Sequence, residues 1–194
     1  MAALQRHCLT LRAELEAIVA SLVRDRYVFL HPAQVLLPPA PDAGIANAAV
    51  EAQLGAVPPA LRTLWLTLGS CDLSGTHPAW PRTACLALSG AKEPTGGALM
   101  SDPLVIFSPA RALEIIDDLA IDDLIPLAPD EHAKAGYGGG DFSGGAAGDP
   151  DDDPSFRGVK PAAGLVAYVE RTIRIGGGFA GLITGRRKHG PTSR

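Results

Sequence analysis

The N-terminal segment places apolar side chains at the spacing of an amphipathic helix. The apolar positions are Leu4, Cys8, Leu11, Leu15, Ile18 and Leu22. Residues three and four apart share one face of a helix, so this pattern predicts a helix that packs a single stripe on a core. Glu14 and Glu16 interrupt the apolar core that a signal peptide needs, and we therefore expect no signal peptide here.

A second helix is predicted over "AGIANAAVEAQLG", between two terminus signals. Asp42, just before the helix, is a favoured N-cap residue, and Gly55, just after it, is a favoured residue for ending a helix. The spacing of its apolar residues predicts an inward face, made of Ile45, Ala49, Ala52 and Leu54.

A third helix is predicted over "VPPALRTLWLTLG". The prolines suit a helix first turn, where a missing N–H costs nothing, and Gly69 supplies the end. The apolar spacing predicts a buried face, made of Leu61, Leu64, Trp65 and Leu68. Three helices are thus expected within the first 69 residues.

The second part of the chain mixes short β-prone runs with helices. "TACLALS", "DPLVIFS" and "DLIPLAPD" predict strands. "SPARALEIIDDL" predicts a helix capped by Ser108, with Pro109 first and Leu113, Ile116 and Leu119 packed. "GLVAYVERTIRIGGG" predicts a last helix ending at its glycines, with an inward face of Leu165, Tyr168, Val169, Thr172 and Ile173. Helices followed by mixed elements predict one α+β domain and not alternating βαβ units.

Composition and cysteine spacing indicate the cellular compartment of the protein. Hydrophobic residues make up 46% of the 194 residues, which is enough for a core. Cys8, Cys71 and Cys85 lie far apart with no C-x-x-C, which argues against a disulfide framework or a structural zinc site and favours a reducing cytoplasm. No stretch approaches the ~20 apolar residues of a membrane span. We predict a cytoplasmic protein with no membrane association.

Charge is distributed very unevenly along the chain. Residues 1–101 carry seven basic and seven acidic side chains, whereas residues 102–153 carry two basic and thirteen acidic ones, net −11. Residues 154–194 carry eight basic and one acidic, net +7. An acidic segment of this size repels nucleic acid and attracts basic proteins, although it also serves simply to keep a surface solvated.

The segment 128–156 carries the residues that most invite a chemical interpretation. Asp149, Asp151 and Asp153 match the first ligand positions of an EF-hand, but Pro154 replaces the turn glycine and Lys160 the bidentate glutamate. Weak calcium binding by the aspartates stays open. The glycines precede no helical run and have acidic neighbours, which disfavours a phosphate site.

Catalysis finds equally little support in the same segment. Asp130, Glu131 and His132 occur together, yet the His-Glu-x-x-His and Gly-x-Ser-x-Gly motifs are both missing from the chain. His132 in a polar segment is more often a solvated residue than a catalyst. We predict no enzyme, no metal and no cofactor.

Recognition of another protein is the interpretation that remains. The segment is predicted to be a long irregular loop, and such loops are functional or disordered. Aromatic side chains among carboxylates are typical of protein-binding surfaces. The candidate partner-binding residues are Asp130, Tyr137, Asp141, Phe142, Asp149, Asp151, Asp152 and Asp153.

Four blocks of sequence together resemble the SUKH superfamily, which contains a yeast cell-wall assembly regulator and many bacterial immunity proteins. They are "IANAAVEAQLGAVPPALRTLWLTLGS", "LVIFSPARALEI", "LIPLAPDEHAKAGYGGGDFSGG" and "GLVAYVERTIRIGGGFAGL", in the family's order. The similarity covers about residues 42–182. The insert "GDPDDDP" matches no family feature, so the aspartates are candidates on charge alone.

This resemblance implies a fold and a role. It implies an α+β domain with a mostly antiparallel sheet and helices packed on it, and we expect this single domain to span residues 1–182. The polar, basic composition of residues 183–194 predicts a disordered tail. The resemblance also implies a protein-binding role without catalysis, most often the neutralisation of a bacterial toxin. A basic nuclease toxin fits the acidic segment, because nuclease surfaces are basic. The alternative is a scaffold or regulator of the same fold.

Overall fold

The computed structural model describes residues 2–77, 102–119, 124–129, 133–134, 141–145, 155–157 and 163–178. They form an α+β fold, as predicted, in which helices pack against small antiparallel sheets. The helices are α1 (Ala2–Arg24), α2 (Ala43–Leu54), α3 (Pro59–Thr67), α4 (Pro109–Leu119) and α5 (Leu165–Arg174), with a 3₁₀ turn over Pro32–Gln34. None of the helices in the described part is long and apolar enough to span a bilayer.

The apolar stripe of α1 packs as its periodicity predicts. Four of its residues, Cys8, Leu11, Leu15 and Leu22, are buried, and Leu4 and Ile18 pack against the core from its margin. Charged residues occupy the other faces, where Arg12 pairs with Glu16 one turn later. The Nε2 atom of His7 lies 2.6 Å from Oε1 of Glu170, which joins α1 to α5.

The predicted inward face of α2 is wrong in part, although its bounds are right: Leu54 packs against the core and Ala49 is half-buried. Ile45 is 75% exposed and Ala52 is exposed, while Ala43, Asn47 and Val50 are buried. Apolar residues surround nearly the whole helix, so periodicity alone does not define a face. Packing against α3 and α4 selects the side that carries Asn47. The helix begins after Asp42, whose side chain makes no capping hydrogen bond, and ends at Gly55, with φ of 93°.

The predicted core face of α3 is confirmed in full. Leu61, Leu64, Trp65 and Leu68 have no exposed surface. The indole Nε1 of Trp65 donates a hydrogen bond of 2.9 Å to the carbonyl of Phe107, which ties the helix to the strand region after residue 104. Gly69 closes α3 with φ of 89°, and a Cβ there would collide with the Leu37 carbonyl, so this turn requires glycine.

Nine short strands form three antiparallel sheets within the described ranges. Strands β1 (Val28–Phe29) and β4 (Gly75–Thr76) pair, and β3 (Ser70–Asp72) lies between β2 (Leu36–Leu37) and β5 (Val105–Ile106). The third sheet has the strand order β6 (Leu124–Pro129), β7 (Asp141–Gly145), β8 (Ser155–Arg157) and β9 (Ala163–Gly164). The Phe107 amide donates to the Leu127 carbonyl at 2.8 Å, which connects the second sheet (β2, β3 and β5) to the third.

The prediction of one irregular loop over 128–156 is wrong in part. Asp141–Gly145 is a strand that pairs with β6 on one side and β8 on the other. Glycine and aspartate have low strand propensity, but pairing with the apolar β6 overrides that local preference. The remaining predictions for this half fare better, since β5, β6, α4 and α5 all form. The run "TACLALS" and the tail 183–194 lie outside the described residues.

The two late helices use the faces that their sequences predict. Ser108 caps α4, because its Oγ accepts the Arg111 amide at 3.1 Å. Ile116 is buried and Leu113 is half-buried, whereas the side chain of Leu119 is not described. All five predicted inward residues of α5 are buried: Leu165, Tyr168, Val169, Thr172 and Ile173.

Candidate functional site

A groove of about 750 Å³ lies over the second sheet, formed by β2, β3 and β5. One wall is the chain from Leu30 to Leu37, which includes the 3₁₀ turn, and the other is the first three turns of α4. The floor comes from β3 and β5, and Pro129 with Lys134 closes one end. This volume falls within the range of natural binding clefts. We refer to it below as the α4 groove.

A histidine–carboxylate pair joins the floor of the α4 groove to one wall. The Asp72 carboxylate accepts the Ser74 amide at 2.8 Å through Oδ1 and lies 2.8 Å from His31 Nδ1 through Oδ2. The Asp72 side chain is 14% exposed and that of His31 is 50% exposed. Because a carboxylate only accepts hydrogen bonds, the proton of this contact lies on His31 Nδ1.

A buried cation closes the end of the α4 groove. The Lys134 side chain has no exposed surface, and its Nζ lies 2.5 Å from Asp102 Oδ1 and 3.3 Å from the Tyr168 hydroxyl. The same hydroxyl donates to Asp102 Oδ2 at 3.2 Å. Burial lowers the pKa of the Lys134 ammonium, and Asp102 opposes that shift. This network fastens the groove end to α5 and does not present Nζ to an occupant.

The Cys71 thiol on the groove floor is expected to be unreactive. Cys71 is 2% exposed, and burial, aided by the charge of Asp72, raises the pKa of its thiol to about 12. A thiol of this kind stays protonated near neutral pH, whereas the nucleophile in cysteine chemistry is the thiolate. Cys71 therefore serves the floor as a small apolar side chain.

The α4 wall carries charge of both signs. Arg111 donates to Glu114 at 2.8 Å, so these two exposed residues neutralise one another. Asp118 also lines the groove, and no described side chain pairs with it. Asp117, its neighbour in sequence, faces α2 instead, where its Oδ1 accepts from Gln53 at 2.8 Å.

The predicted partner-binding residues fall mainly outside the described ranges. This applies to Asp130, Tyr137, Asp149, Asp151, Asp152 and Asp153. The backbone of Asp141 and Phe142 is described as part of β7, and their side chains are not. Asp141 pairs with Pro129 across the ladder, so its backbone lies beside the closed end of the α4 groove.

Several groove residues have no counterpart among the predicted candidates. His31, Asp72 and Lys134 come from segments far apart in sequence, and only the fold brings them to one groove. Among the residues that the structure describes, no group of three or more histidine, cysteine, aspartate or glutamate side chains is placed to hold a metal ion.

Comparison of the chain with models of protein families, with curated proteins and with solved structures finds no match.

Proposed function

We propose that this chain is a non-enzymatic protein-binding domain, an immunity protein that binds and neutralises a basic bacterial toxin domain in the cytoplasm. A nuclease is the toxin class that suits it best, since a phosphate-binding surface is basic. The carrying observation is the charge segregation, with net −11 over residues 102–153.

The described part of the acidic segment supports this proposal. The described residues between 102 and 134 carry four carboxylates, Asp102, Glu114, Asp117 and Asp118, against two cations, Arg111 and Lys134. Strand β7 brings the backbone of Asp141 beside Pro129, which lines the α4 groove. Carboxylates gathered on one side of a domain steer a basic partner and raise the association rate. The resemblance of four sequence blocks to the SUKH superfamily favours the same role.

The decisive experiment measures association with a basic toxin. The proposal predicts a nuclease-toxin gene beside the gene for this chain. The probe is the catalytically inactive domain of that toxin, attached to a sensor, and the analyte is the wild-type chain or a variant with asparagine at five positions. These positions are Asp141, Asp149, Asp151, Asp152 and Asp153. We expect slower association of the variant at low salt and convergence of the two rates near ~1 M salt, where screening is nearly complete.

Two outcomes would overturn the proposal. One is the lack of any binding to the toxin domain together with failure of the co-expressed chain to restore growth, which would favour a scaffold or regulator. The other is turnover of nucleic acid, phosphoester or peptide substrates by the purified chain that His132→Ala abolishes with the fold intact. Equal association rates at low salt would instead show that the five aspartates are only solvated surface.

A further inference from the structure

We infer that the α4 groove receives an arginine or lysine side chain of the partner protein. This inference rests on the proposed function for the existence of a protein partner, and it adds the place and the chemistry of one contact. None of the lining residues that carry the inference is among the candidates predicted from sequence, and all of them are described.

The floor of the α4 groove favours contact through side chains. Strand β3 is paired on both edges, with β2 and with β5, so its backbone groups are engaged in the ladder. An occupant therefore cannot be held as an added strand over β3, which is the way extended peptides bind at open sheet edges. Over this strand an occupant is held by its side chains.

The surface of the floor suits the stem of a long cationic side chain. Cys71, Val105 and Ile106 form an apolar floor, and Leu37 on the rim is 41% exposed. Arginine and lysine bury their methylene stems along apolar surface while the charged head remains at a polar rim. The groove offers both surfaces within one volume.

The balance of charge decides the sign of the occupant. The lining contains three carboxylates, Asp72, Glu114 and Asp118, and two cations, Arg111 and Lys134. Both cations are already held by carboxylates, Arg111 by Glu114 and Lys134 by Asp102. Counted without the histidine, four carboxylates including Asp102 against two cations leave an excess of two carboxylates: Asp72, which is hydrogen-bonded to His31, and Asp118. An anionic occupant would meet no cation without a carboxylate beside it among the described lining residues.

The test uses a small probe of the inferred contact. Nα-acetyl-arginine methylamide is titrated into ¹⁵N-labelled protein, in parallel with the citrulline analogue, which has nearly the same shape and no charge. We expect amide shifts confined to the residues that line the groove, saturating at millimolar concentration, with the arginine probe and not with citrulline.

A matched pair of variants locates the contact. Asp118→Asn and Asp117→Asn remove the same charge one residue apart, but only Asp118 lines the groove, while Asp117 is bonded to Gln53. We expect Asp118→Asn to weaken probe binding about two- to fivefold, the range for an exposed ion pair, and Asp117→Asn to leave it nearly unchanged. The circular dichroism spectrum checks that both variants are folded.

Three results would overturn the inference: equal binding of arginine and citrulline, equal weakening by both variants, or shifts that lie away from the groove. Each is distinguishable from failure of the proposed function, because the probe experiment requires no toxin. If the toxin binds while the arginine probe does not reach the groove, the function stands and the groove contact fails. If the probe binds at the groove and the toxin does not bind at all, the groove's preference for a cationic side chain stands and the proposed function fails.

Discussion

Replacement of Trp65 tests the packing on which the whole domain depends. Trp65 has no exposed surface, lies between α3 and the strand region, and donates its indole N–H to the Phe107 carbonyl at 2.9 Å. Two variants separate the two contributions. Trp65→Ala removes both the apolar ring and the donor, and Trp65→Phe keeps most of the ring but removes the donor.

The magnitudes follow from burial and from the hydrogen bond. A buried tryptophan removes about 150–250 Å² from water, worth roughly 4–6 kcal/mol at about 25 cal/mol per Å². Truncation of such a ring to alanine costs about 3–5 kcal/mol of the free energy of unfolding, since the cavity collapses only in part. Trp65→Phe should cost about 1–3 kcal/mol, because the Phe107 carbonyl loses its donor and the smaller ring fills less space.

The assay is urea unfolding followed by far-ultraviolet circular dichroism, since one of the two tryptophans is being removed and fluorescence would change for that reason alone. Leu66→Ala is the matched control: Leu66 follows Trp65 in the same helix, is 44% exposed, and should cost less than about 1 kcal/mol. If Trp65→Ala unfolds at the same urea concentration as Leu66→Ala, the proposed packing of α3 is wrong.

Two further predictions concern buried ionisable groups. The pKa of Cys71 is raised from 9.0 to about 12, so the stability that its protonated thiol contributes is complete below pH 9 and is lost as pH rises toward 12. Cys71→Ala should therefore flatten the decline of melting temperature between pH 8.5 and 10.5, and an unchanged slope would contradict this. Lys134→Met leaves Asp102 without its ammonium partner and should cost about 1–3 kcal/mol, discounted because Asp102 is 35% exposed. Adding Asp102→Asn to Lys134→Met should restore part of that loss in urea unfolding, and purely additive losses would argue against the pair.

Periodicity predicted the helices that bury one clear stripe. In α1, α3 and α5 the predicted apolar positions are buried or pack against the core, although α3 also buries Thr63 and Thr67. In α2 the sequence does not define the buried face, because alanines occur on all sides and the contacts with α3 and α4 choose the face. The burial of Asn47 has no signal in sequence, and its Oδ1 has no hydrogen-bond partner among the described residues.

The strands and the groove were less accessible from sequence. β1, β2, β4 and β9 are two residues long, too short for alternation to be visible. β7 has a composition typical of loops and becomes a strand only through its neighbours. The residues that line the α4 groove come from positions 30 to 134 of the chain, so the groove depends on tertiary packing and cannot be predicted from local spacing.

The position of the buried cation determines which substitutions can report on binding. Lys134, Asp102 and Tyr168 hold the end of the α4 groove to α5, so a change in any of them alters folding stability and groove shape together. A weaker partner complex in such a variant would have two explanations. Asp118 and Asp117 lie on the exposed side of α4, where a carboxamide of the same shape changes the local charge with little effect on packing. A difference between these two aspartates therefore reports on the occupant of the groove and not on the fold.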